Sequence, residues 1–221
     1  MTADSSFGEP HDTLRVDTYT LHKGVQGVGP TRRLEIHNLA LAIETLDADI
    51  VCLQEVRQGN RKEASYFSGW PEQPQAEFLA PEGYEAVYRS NAVTKHGEHG
   101  NALLSRWPVI ECRHEDMSDH RFEQRGLLHA KLLVAGVTVH AIVVHFGLIP
   151  SSRVRQTAHL KAYIAREIPL DEPVVVAGDF NDWGTRVRRL LRVDSLHAFE
   201  GPRTLTYPSR YPVAQLDHIY A

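Results

Sequence analysis

The sequence contains little cysteine, no long apolar run and no excess of basic charge. Only 2 of its 221 residues are cysteine, which is too few for a disulfide framework or a thiolate zinc site. No apolar run approaches the length of a membrane-spanning helix, so we expect no stable membrane insertion. The net charge of −4 differs from the basic field typical of a high-affinity nucleic-acid binder. We expect a soluble cytoplasmic protein.

The amino terminus lacks the basic and apolar regions of a secretory leader. Its first residues, "MTADSSFGEPHD", are acidic and polar, and we predict a disordered tail over residues 1–13. No linker or composition break divides residues 14–221, which we predict to form one domain. The 13 histidines are scattered, and the pair His96 and His99 lies among glycines, which predicts a loop. No feature indicates an obligate protein partner.

Apolar runs separated by turn residues predict more strands than helices. The predicted strands are 14–21, 48–56, 84–88, 101–105, 109–114, 127–134, 137–145, 172–178 and 215–221, and the predicted helices are 31–47, 62–70, 151–167 and 185–192. We predict that the rest of 57–82 is loop. Ala135-Gly136 marks the clearest hairpin. The pattern predicts an α/β fold: a four-layer sandwich of two mostly antiparallel sheets with helices outside.

Charged and polar side chains stand where several predicted strands end. Glu55 ends the run "DIVCLQEV", where a buried carboxylate would need a partner such as a metal ion, unless it is a solvated strand end. Asp179 and Asn181 follow "VVVAG" and can point the same way, although an Asx turn that caps a helix is the alternative. His145 closes another strand and Asp217 opens the last. Convergence of such strand ends is typical of metal-assisted hydrolases.

Seven segments in order resemble the endonuclease/exonuclease/phosphatase family of metal-dependent phosphoesterases. They are "TYTLHKG", "DADIVCLQEV", "HGNALLSRWPV", "QRGLLHAKL", "VHFGL", "VVVAGDFNDW" and "LDHIY". The sequence most resembles small bacterial members of undefined substrate. The resemblance implies hydrolysis of a phosphodiester or phosphomonoester by an activated water, with Mg²⁺ as cofactor and Mn²⁺ as a substitute.

The resemblance also implies roles for individual residues. Glu55 resembles the metal ligand, and Asp179 resembles the residue that orients or deprotonates the water and shares the metal. Asn181 resembles the residue that holds water and phosphate oxygen, and His145 the histidine that contacts the phosphate or assists the leaving group. The resemblance places two further residues in segments that border the cleft, as substrate-binding candidates: Asn101 and Arg125.

Two departures from the family pattern bear on activity. Thr20 stands where the family has an asparagine, and its shorter side chain predicts weaker binding. "LDHIY" resembles the strand whose Asp, here Asp217, orients a histidine from a later "SDH" segment, and no such segment follows. Because Asp217 and His218 face opposite sides of a strand, His218 does not replace it. We treat "SDH" at 118–120 as coincidence and expect a domain that lacks its last strand or strands.

Two functions stay open at this point. The first is a phosphoesterase acting on nucleic acid, a phospholipid head group or a small phosphodiester, with activity impaired by the two departures. The second is an inactive phosphate- or lipid-binding member of the same fold. The basic stretch "TRVRRLLRV" could bind nucleic acid, but a solvated helix face is the simpler interpretation.

Overall fold

The computed structural model describes residues 13–192, 196–197, 205–208 and 211–221. The strands are β1 (Val16–Thr20), β2 (Val25–Gln26), β3 (Arg33–Leu34), β4 (Ile50–Val56), β5 (Glu85–Thr94), β6 (Gly97–Ser105), β7 (Val109–Asp116), β8 (Gly126–Val134), β9 (Val137–His145), β10 (Val174–Asp179) and β11 (Asp217–Tyr220). The helices are α1 (Ile36–Leu46), α2 (Arg61–Tyr66), α3 (Gln75–Leu79), α4 (Pro150–Glu167) and α5 (Arg186–Leu191). Residues 1–12 of the predicted tail lie outside the described residues.

Two mixed sheets form the centre of the molecule. One has the strand order β1-β4-β6-β5, and the other has the order β11-β10-β9-β8-β7. Only the neighbours β1 and β4, and β9 and β10, run parallel; the other pairs within these two sheets are antiparallel. Strands β2 and β3 form a separate small ribbon. The prediction of two mostly antiparallel sheets is therefore confirmed.

Three hydrophobic clusters hold the layers together. The first packs α1 and α3 on the outer face of the four-stranded sheet, and the second fills the space between the sheets. The third packs α4 and α5 on the outer face of the five-stranded sheet. The order of layers is helix, sheet, sheet, helix, as predicted.

Strand β4 shows how the sequence produces this layering. Side chains alternate between the two faces of a strand, so Ile50 and Cys52 enter the cluster between the sheets while Val51 and Leu53 face the helices. All four are buried. A strand covered on both faces is apolar at nearly every position, which explains the apolar run. The buried exception, Gln54, is hydrogen-bonded to Thr18 and to the carbonyl of Cys52.

The structure differs from the sequence predictions between residues 57 and 100. Helix α3 occupies residues predicted as loop. Strands β5 and β6 extend to Thr94 and Gly97, so His96 lies in a tight turn but His99 lies on a strand rather than in a loop. "SDH" at 118–120 lies between β7 and β8 as expected, where Asp119 pairs with Arg155 on α4. None of the described helices is long and apolar enough to cross a bilayer.

A buried chain of polar side chains links β8, β9 and α4. His129 Nδ1 lies 2.9 Å from Tyr163 Oη, and His129 Nε2 lies 2.8 Å from His140 Nδ1. The other nitrogen of His140 bonds Glu172. Burial first, and then the charges of His140 and of nearby Lys131 and Arg113, lower the pKa of His129 to about 4. His129 is therefore neutral in the folded protein at neutral pH.

We predict that acidification destabilises the protein partly through His129. Its pKa falls from 6.5 to about 4 on folding, so the unfolded chain binds the proton first, and stability is lost as the pH falls from about 6.5 towards 4. Urea unfolding should show that the stability lost between pH 7 and pH 5 is smaller in His129→Gln by about 1 to 2 kcal/mol. An equal loss in both proteins would contradict this assignment.

Gly178 allows β10 to lie close against β9. Its φ is +149°, and a Cβ at this position would stand 1.9 Å from the carbonyl oxygen of Val144. The backbone of β9 cannot move away easily, because it is paired with β8 on its other side. A side chain at position 178 would therefore separate the two strands.

We predict that Gly178→Ala lowers the free energy of unfolding by about 2 kcal/mol or more, because the methyl group clashes with a backbone oxygen. Thermal unfolding should show a melting temperature lower by about 4 °C or more. The matched control is Gly184→Ala, since a Cβ at Gly184 meets no atom within 4 Å. Equal melting temperatures for the two variants would refute the role of Gly178.

Candidate functional site

The pairing of three strands brings three predicted site residues side by side. Asp179, at the end of β10, is in register with His145 at the end of β9 and with Asp217 at the start of β11. The distance between His145 Nε2 and Asp179 Oδ2 is 3.7 Å. The backbone ladder therefore sets the spacing of these side chains.

Glu55 reaches the same cleft from the other sheet. The pairing of β4 with β6 is interrupted by a bulge between Leu53 and Val56, and Glu55 has a φ of +55°. Bulges of this kind turn a side chain in a new direction. A positive φ in a residue other than glycine is uncommon and costs energy, and such strain concentrates at functional sites.

An open cleft of about 1690 Å³ lies between the edges of the two sheets. Most predicted site residues line it: Glu55, Arg125, His145, Asp179, Asn181 and Asp217. The predicted substrate-binding residue Asn101 is fully buried. Its amide donates to the carbonyls of Gly126 and Val143, so the structure does not bring it to the cleft surface. It joins strands of the two sheets behind the site.

Asn181 is held in a fixed orientation. Its φ is +48°, its backbone N–H donates to Asp179 Oδ1 at 2.8 Å, and its side-chain Nδ2 donates to the carbonyl of Phe146 at 2.9 Å. The turn after β10 is thus bonded both to Asp179 and to the end of β9. The alternative interpretation, an Asx turn, is therefore correct in part, since the Asp179 carboxylate accepts the hydrogen bond that closes this turn.

The surroundings of Asp179 and Asp217, at the ends of β10 and β11, disfavour the ionised form of each carboxyl group. Burial, followed by repulsion from Asp217, raises the pKa of Asp179 to about 7. Burial also raises the pKa of Asp217, and a hydrogen bond from Thr206 opposes this shift. Asp217 Oδ1 is buried and has no hydrogen-bond partner among the described residues. A buried acceptor without a partner is costly, and because this one lies at the cleft, a bound water or cation would satisfy it.

Glu55 has the opposite electrostatic environment. Burial alone would raise its pKa, but the nearby His22, the charge that His145 carries at low pH and the charge of Lys23 outweigh it and lower the pKa to about 2. His145 is strongly buried, and burial, followed by the charge of Arg125, lowers its pKa to about 3. The site therefore combines an ionised Glu55 with a neutral His145 at neutral pH.

Arg125 borders the cleft as predicted. Its Nε donates to the carbonyl of Phe146 at 3.2 Å, and one terminal nitrogen donates to Glu123 Oε1 at 3.0 Å. Glu123 also accepts a bond from the backbone N–H of Leu148 at 3.0 Å. Glu123 thus orients the guanidinium, and sequence reasoning gave no signal for it.

Sequence reasoning also missed two basic residues beside Glu55. His22 Nδ1 lies 3.8 Å and Lys23 Nζ lies 4.0 Å from Glu55 Oε2. Both residues belong to "TYTLHKG", one of the segments that resemble the family, but the resemblance implies no role for either of them. His99 lies near the same residues. Burial is the main cause that lowers its pKa, the charge of Lys23 lowers it further, and the charge of Glu55 opposes the shift. The run of His22 and Lys23 beside glycine was the only available signal.

The structure separates Asp217 from His218 as strand alternation predicts. Asp217 faces the cleft, whereas the His218 ring packs against Phe180 and Tyr220, with ring centroids 5.8 Å away in each case. Burial lowers the pKa of His218. The Thr20 hydroxyl donates to Gln54 Oε1 at 3.2 Å, and the weaker binding expected from Thr20 stays a prediction.

The donor set of the cleft fits a hard cation. Among the residues that the structure describes, no three His, Cys, Asp or Glu side chains are grouped closely enough to enclose a metal ion. Mg²⁺ is commonly held by one or two carboxylates, with water and substrate phosphate as its other ligands. The ionised Glu55, the neighbouring Asp179 and the unpartnered oxygen of Asp217 supply such ligands.

Comparison with known proteins gives the same fold and a related sequence. Residues 25–221 match the endonuclease/exonuclease/phosphatase family. The uncharacterized protein YbhP of Escherichia coli strain K12 is 36% identical over 216 residues, which cover 94% of this chain and 84% of YbhP.

Solved structures share the fold at low sequence identity. A family protein from Leptotrichia buccalis has a TM-score of 0.70 at 14% identity and covers 94% of this chain and 87% of its own. A mannosyl-6-phosphatase from Bacteroides thetaiotaomicron has a TM-score of 0.68 at 17% identity, with coverage of 94% and 85%. The match over most of the chain, together with the site at the strand ends, shows that this protein belongs to the endonuclease/exonuclease/phosphatase family.

Proposed function

We propose that the protein is a magnesium-dependent phosphoesterase in which Asp179 activates the attacking water. The observation that carries this proposal is the convergence of Glu55, His145, Asp179 and Asp217 at one end of the sandwich, beside the fixed amide of Asn181. The family includes phosphatases and nucleases, which act on phosphate esters, and the mannosyl-6-phosphatase shares this fold.

Asp179 has the environment expected of a general base. Without a cation, burial and repulsion from Asp217 bring the pKa of Asp179 to about 7. A magnesium ion beside the carboxylate would lower this pKa, so Asp179 would be ionised and able to accept a proton. Its Oδ1 is occupied by the N–H of Asn181, which fixes the carboxylate and leaves Oδ2 to accept a proton from water. Oδ2 also faces His145.

The other residues bind and orient the phosphate. His145 is neutral at neutral pH because its pKa is about 3, so it acts on a phosphate oxygen as a hydrogen-bond donor rather than as a protonated acid. Arg125 supplies a guanidinium at the cleft, oriented by Glu123. Asn181 uses Nδ2 on Phe146, and its amide oxygen is left to accept a hydrogen bond from water.

Glu55 and Asp179 would hold the magnesium ion, with Asp217 beside them. When bound there, Mg²⁺ supplies positive charge that stabilises the charge developing on phosphate oxygens. Mn²⁺ also accepts carboxylate ligands and should substitute.

We predict that the wild type hydrolyses bis-p-nitrophenyl phosphate with Mg²⁺ and that EDTA stops the reaction. Asp179→Asn should lower kcat by about 100-fold or more, because the amide cannot accept the proton. The matched control is the exposed Asp171→Asn, which should keep wild-type activity. Release of p-nitrophenol measures both variants.

The outcome also decides between an enzyme and a binding protein. If the folded wild type binds Mg²⁺ or phosphate in calorimetry but shows no turnover, the protein is an inactive phosphate- or lipid-binding member of this fold rather than an enzyme. Equal activity of Asp179→Asn and the wild type would exclude Asp179 as the base.

A further inference from the structure

The turn after β1 presents two basic side chains to one carboxylate oxygen. His22 Nδ1 and Lys23 Nζ lie 3.8 Å and 4.0 Å from Glu55 Oε2. Both residues have positive φ, 47° for His22 and 64° for Lys23. Two consecutive non-glycine residues in this region are strained, and such strain persists only where the surrounding structure enforces it.

A buried glutamine enforces this turn. Gln75 is 2% exposed, its Nε2 donates to the carbonyl of Lys23 at 2.9 Å, and its Oε1 accepts from the N–H of Arg57 at 2.9 Å. The Gln75 amide therefore bridges the turn and the residue two positions after Glu55. The next residue of the turn, Gly24, has a φ of +73°, and a Cβ there would stand 2.7 Å from Gln75 Nε2.

A second contact fixes the start of the turn. The N–H of Leu21 donates to the carbonyl of Gln54 at 2.9 Å, so the chain is bonded to β4 immediately before Glu55. With Gln75 on the far side, the turn is bonded to the residues on both sides of Glu55. These backbone contacts hold the side chains of His22 and Lys23 close to the Glu55 carboxylate.

The turn offers more hydrogen-bond donors than Glu55 can use. A lysine ammonium carries three N–H donors and the His22 ring adds another, whereas the partner is a single carboxylate. Both side chains also reach solvent, with exposed fractions of 69% for His22 and 35% for Lys23. Surplus accessible donors of positive charge at a cleft attract an anion that has several oxygens.

A terminal phosphate matches this arrangement better than an internal diester. A phosphomonoester presents three unsubstituted oxygens and nearly two negative charges at neutral pH, whereas a diester presents fewer free oxygens and a single charge. We propose that the His22–Lys23 turn binds the terminal phosphate dianion of a phosphomonoester substrate and that Gln75 is the positioning residue for this turn. This inference rests on the proposed phosphoesterase function.

Binding of inorganic phosphate tests the turn independently of turnover. Calorimetric titration with Mg²⁺ present, and again with EDTA, should show an affinity about tenfold weaker in Lys23→Gln than in the wild type. The matched control is the exposed Lys62→Gln on α2, which should bind phosphate as the wild type does. Unchanged affinity in Lys23→Gln would overturn the proposal.

Substrate selectivity gives the second test. The wild type should prefer p-nitrophenyl phosphate, a monoester, over bis-p-nitrophenyl phosphate, a diester. Lys23→Gln should lower kcat/KM for the monoester by about tenfold more than it lowers kcat/KM for the diester. An equal fall for both esters would overturn the proposal, because Lys23 would then act only through Glu55. Absence of turnover on both esters in the wild type would instead refute the phosphoesterase function. The calorimetric titration with phosphate would then still decide whether the His22–Lys23 turn binds phosphate.

Gln75→Met tests the positioning role, because methionine has a similar volume and cannot form either hydrogen bond. We expect a higher KM for the monoester and an unchanged KM for the diester in a folded sample. Equal changes in both KM values would refute the role of Gln75. If Gln75→Met does not fold, Lys23→Gln decides the proposal alone.

Discussion

The parallel pairing of β9 with β10 is the constraint on which the site depends. Parallel strands end at the same edge of a sheet, so His145 and Asp179 emerge side by side. The antiparallel strand β11 then begins at that edge and adds Asp217. Short side chains gain precise positions here because hydrogen-bonded backbone, rather than a flexible loop, carries them. The close approach at Gly178 keeps this ladder intact up to its last residue.

The two sides of the cleft differ in charge for physical reasons. On the β10–β11 side, burial raises the pKa values of both Asp179 and Asp217, and the charge of Asp217 raises that of Asp179 further. On the β4 side, a histidine and a lysine lower the pKa of Glu55 to about 2. Carboxylates whose environments push their pKa values apart are suited to different tasks. An ionised carboxylate suits a ligand for a cation, and one that titrates near neutrality suits proton transfer.

Sequence reasoning predicted the elements whose burial leaves a local pattern. The apolar runs of β4 and β10, and the hairpin of β8 with β9, were found because a strand covered on both faces is apolar at most positions. Helix α3 was missed because it has only five residues and begins after a proline. The outer parts of β5 and β6 were missed because that hairpin is only partly buried and carries polar residues and glycines.

The site residues also divide into those that leave a local sequence pattern and those that do not. Glu55, His145, Asp179 and Asp217 stand at strand ends and belong to recognisable motifs, so they could be predicted. Gln75 and Glu123 act through hydrogen bonds to residues far away in the sequence or to backbone atoms, and such contacts leave no local pattern. Asn101 belongs to a family-like segment, yet its burial could only be seen once both sheets were in place.

Strand geometry also decides which of two adjacent residues can take part in chemistry. Asp217 and His218 look like a catalytic pair in the sequence, but successive side chains on a strand face opposite sides. The register that sets Asp217 opposite Asp179 therefore turns His218 into the aromatic cluster of Phe180 and Tyr220. A one-residue shift of β11 would exchange the two and place an acidic side chain among aromatic rings. The same shift would exchange Ile219 and Tyr220 between the clusters on the two faces of the sheet, so core packing keeps Asp217 in the cleft.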